Sequence, residues 1–397
     1  MKETVVLAYS GGLDTSVAIS WLKEKYGYEV VVLSLDLGES RDPEGLRKKA
    51  LAIGAKAAYV EDAREVFAGE YLTWAIYANA LYQKEYPLAT ALSRPLMARR
   101  LVEVAREVGA SAVAHGCTGK GNDQVRFDVA VSSLAPDLEV VAPVREWAWT
   151  RLEEMAYARE HGIPVPTTAE SPYSVDANLW GRSVEGGVLE DPWQEPPEEC
   201  YAWTAPPEAA PAAGAEVTIT FEAGLPVAID GVRRPLVPLI EQVSALAGAH
   251  GIGRLDLIED RLIGIKSREV YEAPGATVLI AAHRAMEAMT LPKDLLQHKS
   301  GLEETFGQLV YNGLWTSPLA DAIRAYLRAS QESVTGDVRL RLRAGSVKVV
   351  GRRSPLALYR PELATYGEGD AFDAKAATGF IAIWSLPLKA GAMVHAR

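Results

Sequence analysis

Leu7-Ala-Tyr-Ser-Gly-Gly-Leu-Asp-Thr-Ser16 joins a short apolar run to a helix-like pattern. Ser10 offers a hydroxyl, and Gly11 and Gly12 offer backbone N–H groups with no side chain in the way. Thr15 and Ser16 add hydroxyls where the following helix presents its unpaired donors and positive dipole end. In an α/β protein, such a strand–turn–helix junction is where the phosphates of a nucleotide are held. The Gly-x-x-x-x-Gly-Lys-[Ser/Thr] order and its lysine are missing, so this is not a Walker A loop.

Working outward, residues 4–9 and 29–36 read as continuous apolar strands, the pattern of a parallel sheet covered on both faces. Leu13, Val17, Trp21 and Leu22 recur at helical spacing between them, with Lys23, Glu24 and Lys25 on a solvated side. The alternation continues with a helix over 43–53 ending at Gly54, a strand over 56–61, and a helix from Pro95 to Val108 ending at Gly109. Strands over 111–116 and 139–144 follow, then a helix opened by Thr150, with Glu153 at capping-box spacing, and closed near Gly162. The fold class is α/β: a doubly wound parallel sheet with its ligand at the carboxyl ends of the strands.

Beyond residue 165 the pattern changes. Prolines crowd the stretch from Pro192 to Pro211, which reads as a surface loop. Strand-like pieces at 215–222 and 254–265, helical pieces near 236–249, 275–290 and 316–331, and a hairpin over 337–350 turning at Ala344-Gly345-Ser346 predict a second, mixed α+β domain. Phe380-Ile-Ala-Ile-Trp384 and Leu386–Leu388 are too apolar to hang in water and predict a C-terminal arm docked on a neighbouring subunit or on its own domain. The expected divisions are 1–165, 166–360 and 361–397.

The chain has 397 residues, 48% of them hydrophobic and 23% charged, enough for two cores. Its formal charge of −11 argues against a broad nucleic-acid surface but leaves room for a local phosphate pocket. Cys117 and Cys200 alone make neither a disulfide framework nor a four-cysteine zinc site, which fits a reducing cytoplasm. No signal-peptide pattern or membrane-length apolar run is read, so a soluble protein without a membrane partner is expected. The six histidines show no paired ligand spacing, so no protein-held catalytic metal is expected.

A second informative stretch is His115-Gly-Cys-Thr-Gly-Lys-Gly-Asn-Asp-Gln-Val-Arg-Phe127. Gly116, Gly119 and Gly121 let the backbone approach a ligand, and Thr118, Lys120, Asn122, Asp123 and Arg126 crowd polar groups into nine positions. This mix suits a zwitterion: Asp123 can take an ammonium and Arg126 can take a carboxylate in a fork.

The Ser10–Ser16 loop resembles that of the ATP pyrophosphatases, which cleave ATP between its α and β phosphates. Together, Ala8–Ser16 and Gly116–Phe127 resemble the two signatures of the argininosuccinate synthases, which join citrulline to aspartate. Ala142-Pro-Val-Arg-Glu-Trp147, His161-Gly-Ile-Pro-Val-Pro166, Pro172-Tyr-Ser-Val-Asp-Ala-Asn-Leu179, Glu185-Gly-Gly-Val-Leu-Glu-Asp-Pro-Trp193 and Gly264-Ile-Lys-Ser-Arg268 are similar to further blocks of that family.

The resemblance implies that Ala8, Tyr9, Ser10, Gly11, Gly12, Leu13, Asp14, Thr15, Ser16 and Gly116 hold ATP, with the adenine near Leu35, and that Mg²⁺ accompanies the nucleotide. It implies Thr118, Asn122 and Asp123 for aspartate, and Tyr86, Asn122, Arg126, Ser174, Ser183, Glu259 and Tyr271 for citrulline. Asp14, Asp123 and Arg126 are the candidate catalytic groups. At Ala91, where the family carries a citrulline-contacting serine, the hydroxyl is missing, and Thr90 or Ser93 is the candidate replacement. The resemblance also implies a homotetramer. Two other readings remain at this point: another adenylating enzyme of the same superfamily, amidating or tRNA-thiolating, and a non-catalytic nucleotide-sensing module.

Overall fold

A computed structural model describes residues 2–39, 42–164 and 173–395. The expected division between 165 and 166, and parts of the blocks at 161–166 and 172–179, lie outside the described residues.

Strands β1 (Thr4–Ala8), β2 (Glu29–Asp36), β3 (Ala57–Asp62), β4 (Ala112–His115) and β5 (Glu139–Val141) form one sheet in the order β3-β2-β1-β4-β5, every pair parallel. Period-two alternation sends neighbouring side chains to opposite layers. Val5 and Leu7 pack with the helix Leu13–Tyr26, while Val6 joins the cluster built on the helix Ala89–Val108. The sheet is therefore doubly wound, and its order turns at the β1/β4 pair. The crevice beyond Ala8 and His115 is where such folds bind ligands.

The local punctuation agrees with the sequence in several places. Gly54 and Gly109 close their helices in the left-handed region, at φ 109° and 66°. Thr150 and Glu153 cap the helix Arg151–Glu160 reciprocally, Thr150 N–H donating to Glu153 Oε2 at 2.7 Å.

Other expectations are corrected. The helix ending at Gly109 starts at Ala89, not Pro95, which lies inside it. Its first turn is fixed by tertiary contacts: Thr90 N–H donates to the Tyr86 hydroxyl at 3.0 Å, and Asn178 Nδ2 donates to the Ala89 carbonyl at 2.8 Å. These supply the order that a proline at the first helical position would otherwise signal. The strand expected over 139–144 stops at Val141, because Pro143 cannot donate to a ladder and opens a short helix, Pro143–Trp147.

The second half carries two antiparallel sheets. One uses β6 (Ser174–Asn178), β7 (Gly181–Glu185), β11 (Arg254–Asp260) and β12 (Lys266–Glu272) in the order β11-β12-β7-β6. The other uses β8 (Ala215–Glu222), β9 (Leu225–Ile229), β10 (Val232–Arg233), β13 (Gly336–Arg343) and β14 (Ser346–Arg353) in the order β10-β9-β8-β13-β14. The turn between β13 and β14 is Ala344-Gly345, both with positive φ, as a tight hairpin requires. The single strand expected over 254–265 is instead the first arm of a hairpin with Glu259 opposite Ser267. β6, β7 and the helix Lys293–Tyr311 were not read from the sequence at all.

Two helices, Ala376–Trp384 and Leu386–His395, end the described chain with no buried residue. Phe380 is 61% and Trp384 73% exposed, so within one chain the arm's apolar side chains are uncovered. No single described helix is long and apolar enough to cross a membrane; this pair, bent by 41°, reaches that length and composition only when taken together.

Candidate active site

At the carboxyl ends of β1 and β4 the loop Ser10–Gly12 is knitted to the following helix. Ser10 N–H and Oγ lie 3.3 and 3.0 Å from Thr15 Oγ1, and Lys49 Nζ donates to the Gly11 carbonyl at 2.6 Å. Gly116, after β4, faces this turn at close range: a Cβ there would stand 2.7 Å from Thr15 Cγ2. The two glycine-bearing turns thus meet across the switch point, leaving room for a ligand but not for a methyl.

A cleft of about 340 Å³ runs from this junction toward the second half of the chain. Ala8, Tyr9, Ser10, Asp14, Thr15, Leu35 and Gly116 line the end of it at this junction. Gly11, Gly12, Leu13 and Ser16 do not line it; Leu13 and Ser16 are buried, with Ser16 Oγ 3.4 Å from the Tyr9 hydroxyl. Asp14 lies at the first turn of its helix, 3.5 Å from Arg151 Nη1 and next to buried Glu154.

Thr118, Asn122, Asp123 and Arg126 line the middle of the cleft, from the start of the helix Asp123–Leu134. Asp123 is held from two sides, Oδ2 by Arg94 Nη2 at 2.7 Å and Oδ1 by Arg126 Nη1 at 2.9 Å. Burial would raise its pKa, but the two guanidinium groups outweigh that and bring the carboxyl down to about 2. Arg94 also pairs with Asp176, on β6. Arg126 Nε donates to the Tyr311 carbonyl at 2.9 Å, so the fork expected to receive a ligand carboxylate is already divided. Among the described residues its buried Nη2 has no hydrogen-bond partner, which leaves it as a donor for a ligand.

Tyr86, Ser174, Ser183, Glu259 and Tyr271 close the far end, from the β6–β7 and β11–β12 hairpins and the segment before Ala89. The Tyr86 and Tyr271 rings stack 4.0 Å apart. Tyr311 OH donates to Glu259 Oε2 at 2.6 Å and accepts from Asn122 Nδ2 at 2.9 Å. Thr90 and Ser93 both line the cleft, while Ala91 is buried away from it. Ser93 Oγ spends its proton on the Thr90 carbonyl at 2.8 Å.

Sequence reasoning missed Arg94, Asp176, Glu185, Arg261, Glu269 and Tyr311. Arg94 stands beside Pro95, Asp176 lies within the block at 172–179 and Glu185 heads the block at 185–193, although the sequence alone assigns none of the three charges a role. Arg261, Glu269 and Tyr311 carry no local signal.

Two family profiles match this chain, the arginosuccinate synthase N-terminal HUP domain over residues 4–164 and the arginosuccinate synthase C-terminal domain over 173–391. The chain belongs to the argininosuccinate synthase family. Among its relatives, the argininosuccinate synthase of Rubrobacter xylanophilus is 58% identical over 391 residues, covering 98% of this chain and 95% of that one. That of Synechococcus sp. (strain JA-2-3B'a(2-13)) is 57% identical over 98% of both chains. That of Dehalococcoides mccartyi (strain ATCC BAA-2266 / KCTC 15142 / 195) is 54% identical over 100% of this chain and 97% of the other. The argininosuccinate synthase match spans the second half of the chain, which a nucleotide-sensing module alone would not need.

Proposed function

We infer that the chain catalyses the reaction for which its family is named, joining citrulline to aspartate at the expense of ATP, as a carbon–nitrogen ligase of arginine biosynthesis. The observation that carries this reading is the continuity of one cleft from the Ser10–Thr15 turn to Glu259 and Tyr271. A nucleotide at one end and an amino acid at the other would meet beside Asn122, Asp123 and Arg126.

The chemistry requires activation, because the ureido carbon of citrulline is stabilised by two nitrogens. The ureido oxygen attacks the α-phosphorus; the new O–P bond forms as the bond to the β-phosphate oxygen breaks, and pyrophosphate leaves into the Ser10–Ser16 loop. The aspartate amine then attacks the activated carbon and AMP departs with the former ureido oxygen. No side-chain nucleophile is needed, so the protein supplies alignment and charge stabilisation. Arg126 Nη2 is the donor we assign to developing negative charge.

An aspartate ammonium at Asp123 would add to the two guanidinium contacts, since each carboxylate oxygen has a further lone pair to offer. Where Arg94 gives way, Asp176 keeps its guanidinium paired. Among the described residues no group of three or more His, Cys, Asp or Glu side chains could hold a metal. We propose Mg²⁺ as a companion of the triphosphate, where it would neutralise phosphate charge, with Asp14 the carboxylate of the loop. The uncovered arm at 376–395 supports assembly with further copies of the chain, and a homotetramer is the state we propose.

The test is pyrophosphate release with ATP and citrulline, aspartate, or both. Argininosuccinate, AMP and pyrophosphate are expected only with both amino acids; ADP and phosphate would sink the adenylation mechanism.

A further inference from the structure

Glu259 is 1% exposed and lies where three hydroxyl and carboxyl groups converge. Tyr271 OH lies within hydrogen-bond distance of both Glu259 Oε1 and Glu269 Oε2, the latter at 2.6 Å. A phenol carries one proton and can donate once. Tyr311 OH is spent on the other oxygen of Glu259, and its lone pair is taken by Asn122. Two ionised carboxylates would thus compete for one tyrosine proton, and one contact would set oxygen against oxygen. A single added proton completes the set: Glu259 Oε1 donates to Tyr271 O, and Tyr271 donates to Glu269.

We propose that Glu259 and Glu269 share one proton through Tyr271, and that the α-ammonium of a zwitterionic amino acid replaces it, so that binding at this end of the cleft expels a proton. Glu269 is then a positioning residue acting through Tyr271. The ligand class rests on the functional reading above; the shared proton does not.

The surrounding charges agree with this placement. Arg261 pairs with Glu269 at 3.1 Å and also with Glu185 from β7, so a guanidinium lies at the Glu269 end of the network. Facing Glu259 are Glu269 and Tyr271 from β12, Tyr311 from the helix Lys293–Tyr311, Arg126 from the helix Asp123–Leu134, and Tyr82 and Tyr86 from the segment before Ala89. Burial first, then Glu269, push the Glu259 carboxyl up to about 7, against the lowering effect of the two tyrosines and Arg126. An ammonium brings three N–H donors and a positive charge to the same acceptors and makes the carboxyl proton redundant.

Infrared difference spectra of the protein without ligands, acid minus alkaline, test the shared proton. A protonated-carboxyl C=O band titrating near neutrality is expected in wild type, and Glu269→Gln or Tyr271→Phe, checked by near-UV circular dichroism for folding, should shift or remove it. A band absent from wild type, or unmoved in both folded variants, overturns proton sharing. Calorimetric titration with citrulline, with and without α,β-methylene ATP, in buffers of different ionisation enthalpy tests the replacement. Close to one proton should leave per site at about pH 6 and almost none at about pH 8.5, with affinity about tenfold weaker at pH 6 than at pH 8. Binding of citrulline without proton release overturns the replacement. Absence of citrulline binding under every condition instead sinks the functional reading, while the infrared band still decides the shared proton.

Discussion

Arg94 and Asp123 form the central ion pair of the cleft, Nη2 to Oδ2 at 2.7 Å, although neither is near the other in sequence. Asp123 also receives Arg126, so its negative charge is shared between one buried and one partly buried guanidinium group. The carboxylate is thereby held in one orientation and kept ionised over the whole useful pH range.

Replacing Asp123 with Ala is predicted to lower argininosuccinate formation by about tenfold or more, from a lost charge-assisted hydrogen bond of order 1.5–3 kcal/mol and lost alignment of the amine. ATP and citrulline should still meet, so positional isotope exchange in ATP should survive. Loss of exchange while both ligands still bind would place Asp123 in the adenylation step and overturn the assignment. The removed anion also leaves Arg126 without its carboxylate, so the variant should melt below wild type.

At the switch point, Gly116→Ala is predicted to raise KM for ATP, because the new methyl would meet Thr15 Cγ2 at 2.7 Å. The double variant Gly116→Ala/Thr15→Ser removes that methyl while keeping the hydroxyl, and should recover much of the affinity. An unchanged KM in the single variant would show that the two turns do not share a ligand.

The local devices were legible because their physics is local. The Ser10–Ser16 turn, the Thr150–Glu153 cap and the Ala344-Gly345 hairpin each depend on residues within one turn of chain. The start of the helix at Ala89 was not, since its first turn depends on Asn178, 89 residues away. Arg94 meets Asp176 across 82 residues, and Asn122 meets Tyr311 across 189, so no spacing rule connects them. Glu259 and Tyr271 came from the family resemblance, whereas Glu269, which reaches Glu259 through Tyr271, emerges only in the folded hydrogen-bond network.

The uncovered arm gives a prediction about assembly. Phe380 and Trp384 stack at 5.5 Å and, with Ile381 and Ile383, present an apolar face that no described residue of the chain covers. Truncation from about Pro361 should leave a folded protein of lower oligomeric mass by light scattering. An unchanged mass would place the subunit contacts elsewhere.

Glu154 offers the last prediction, on the helix that faces Asp14. It is 5% exposed, and burial first, then the Asp14 charge, push its carboxyl up to about 8 from an ordinary 4.5. An acid with a raised folded-state pKa binds more protons folded than unfolded, so stability is greatest below the unfolded value and falls as pH rises through this window. Glu154→Gln cannot ionise and should therefore melt higher than wild type at about pH 9, with the advantage vanishing near pH 5. The same ionisation places a negative charge beside Asp14 and the Ser10–Thr15 turn proposed to face the phosphates. KM for ATP should accordingly rise above about pH 8 in wild type and stay flatter in Glu154→Gln. A stability difference independent of pH would show that Glu154 is ionised throughout, and that Arg151, 3.5 Å from Asp14, neutralises the pair.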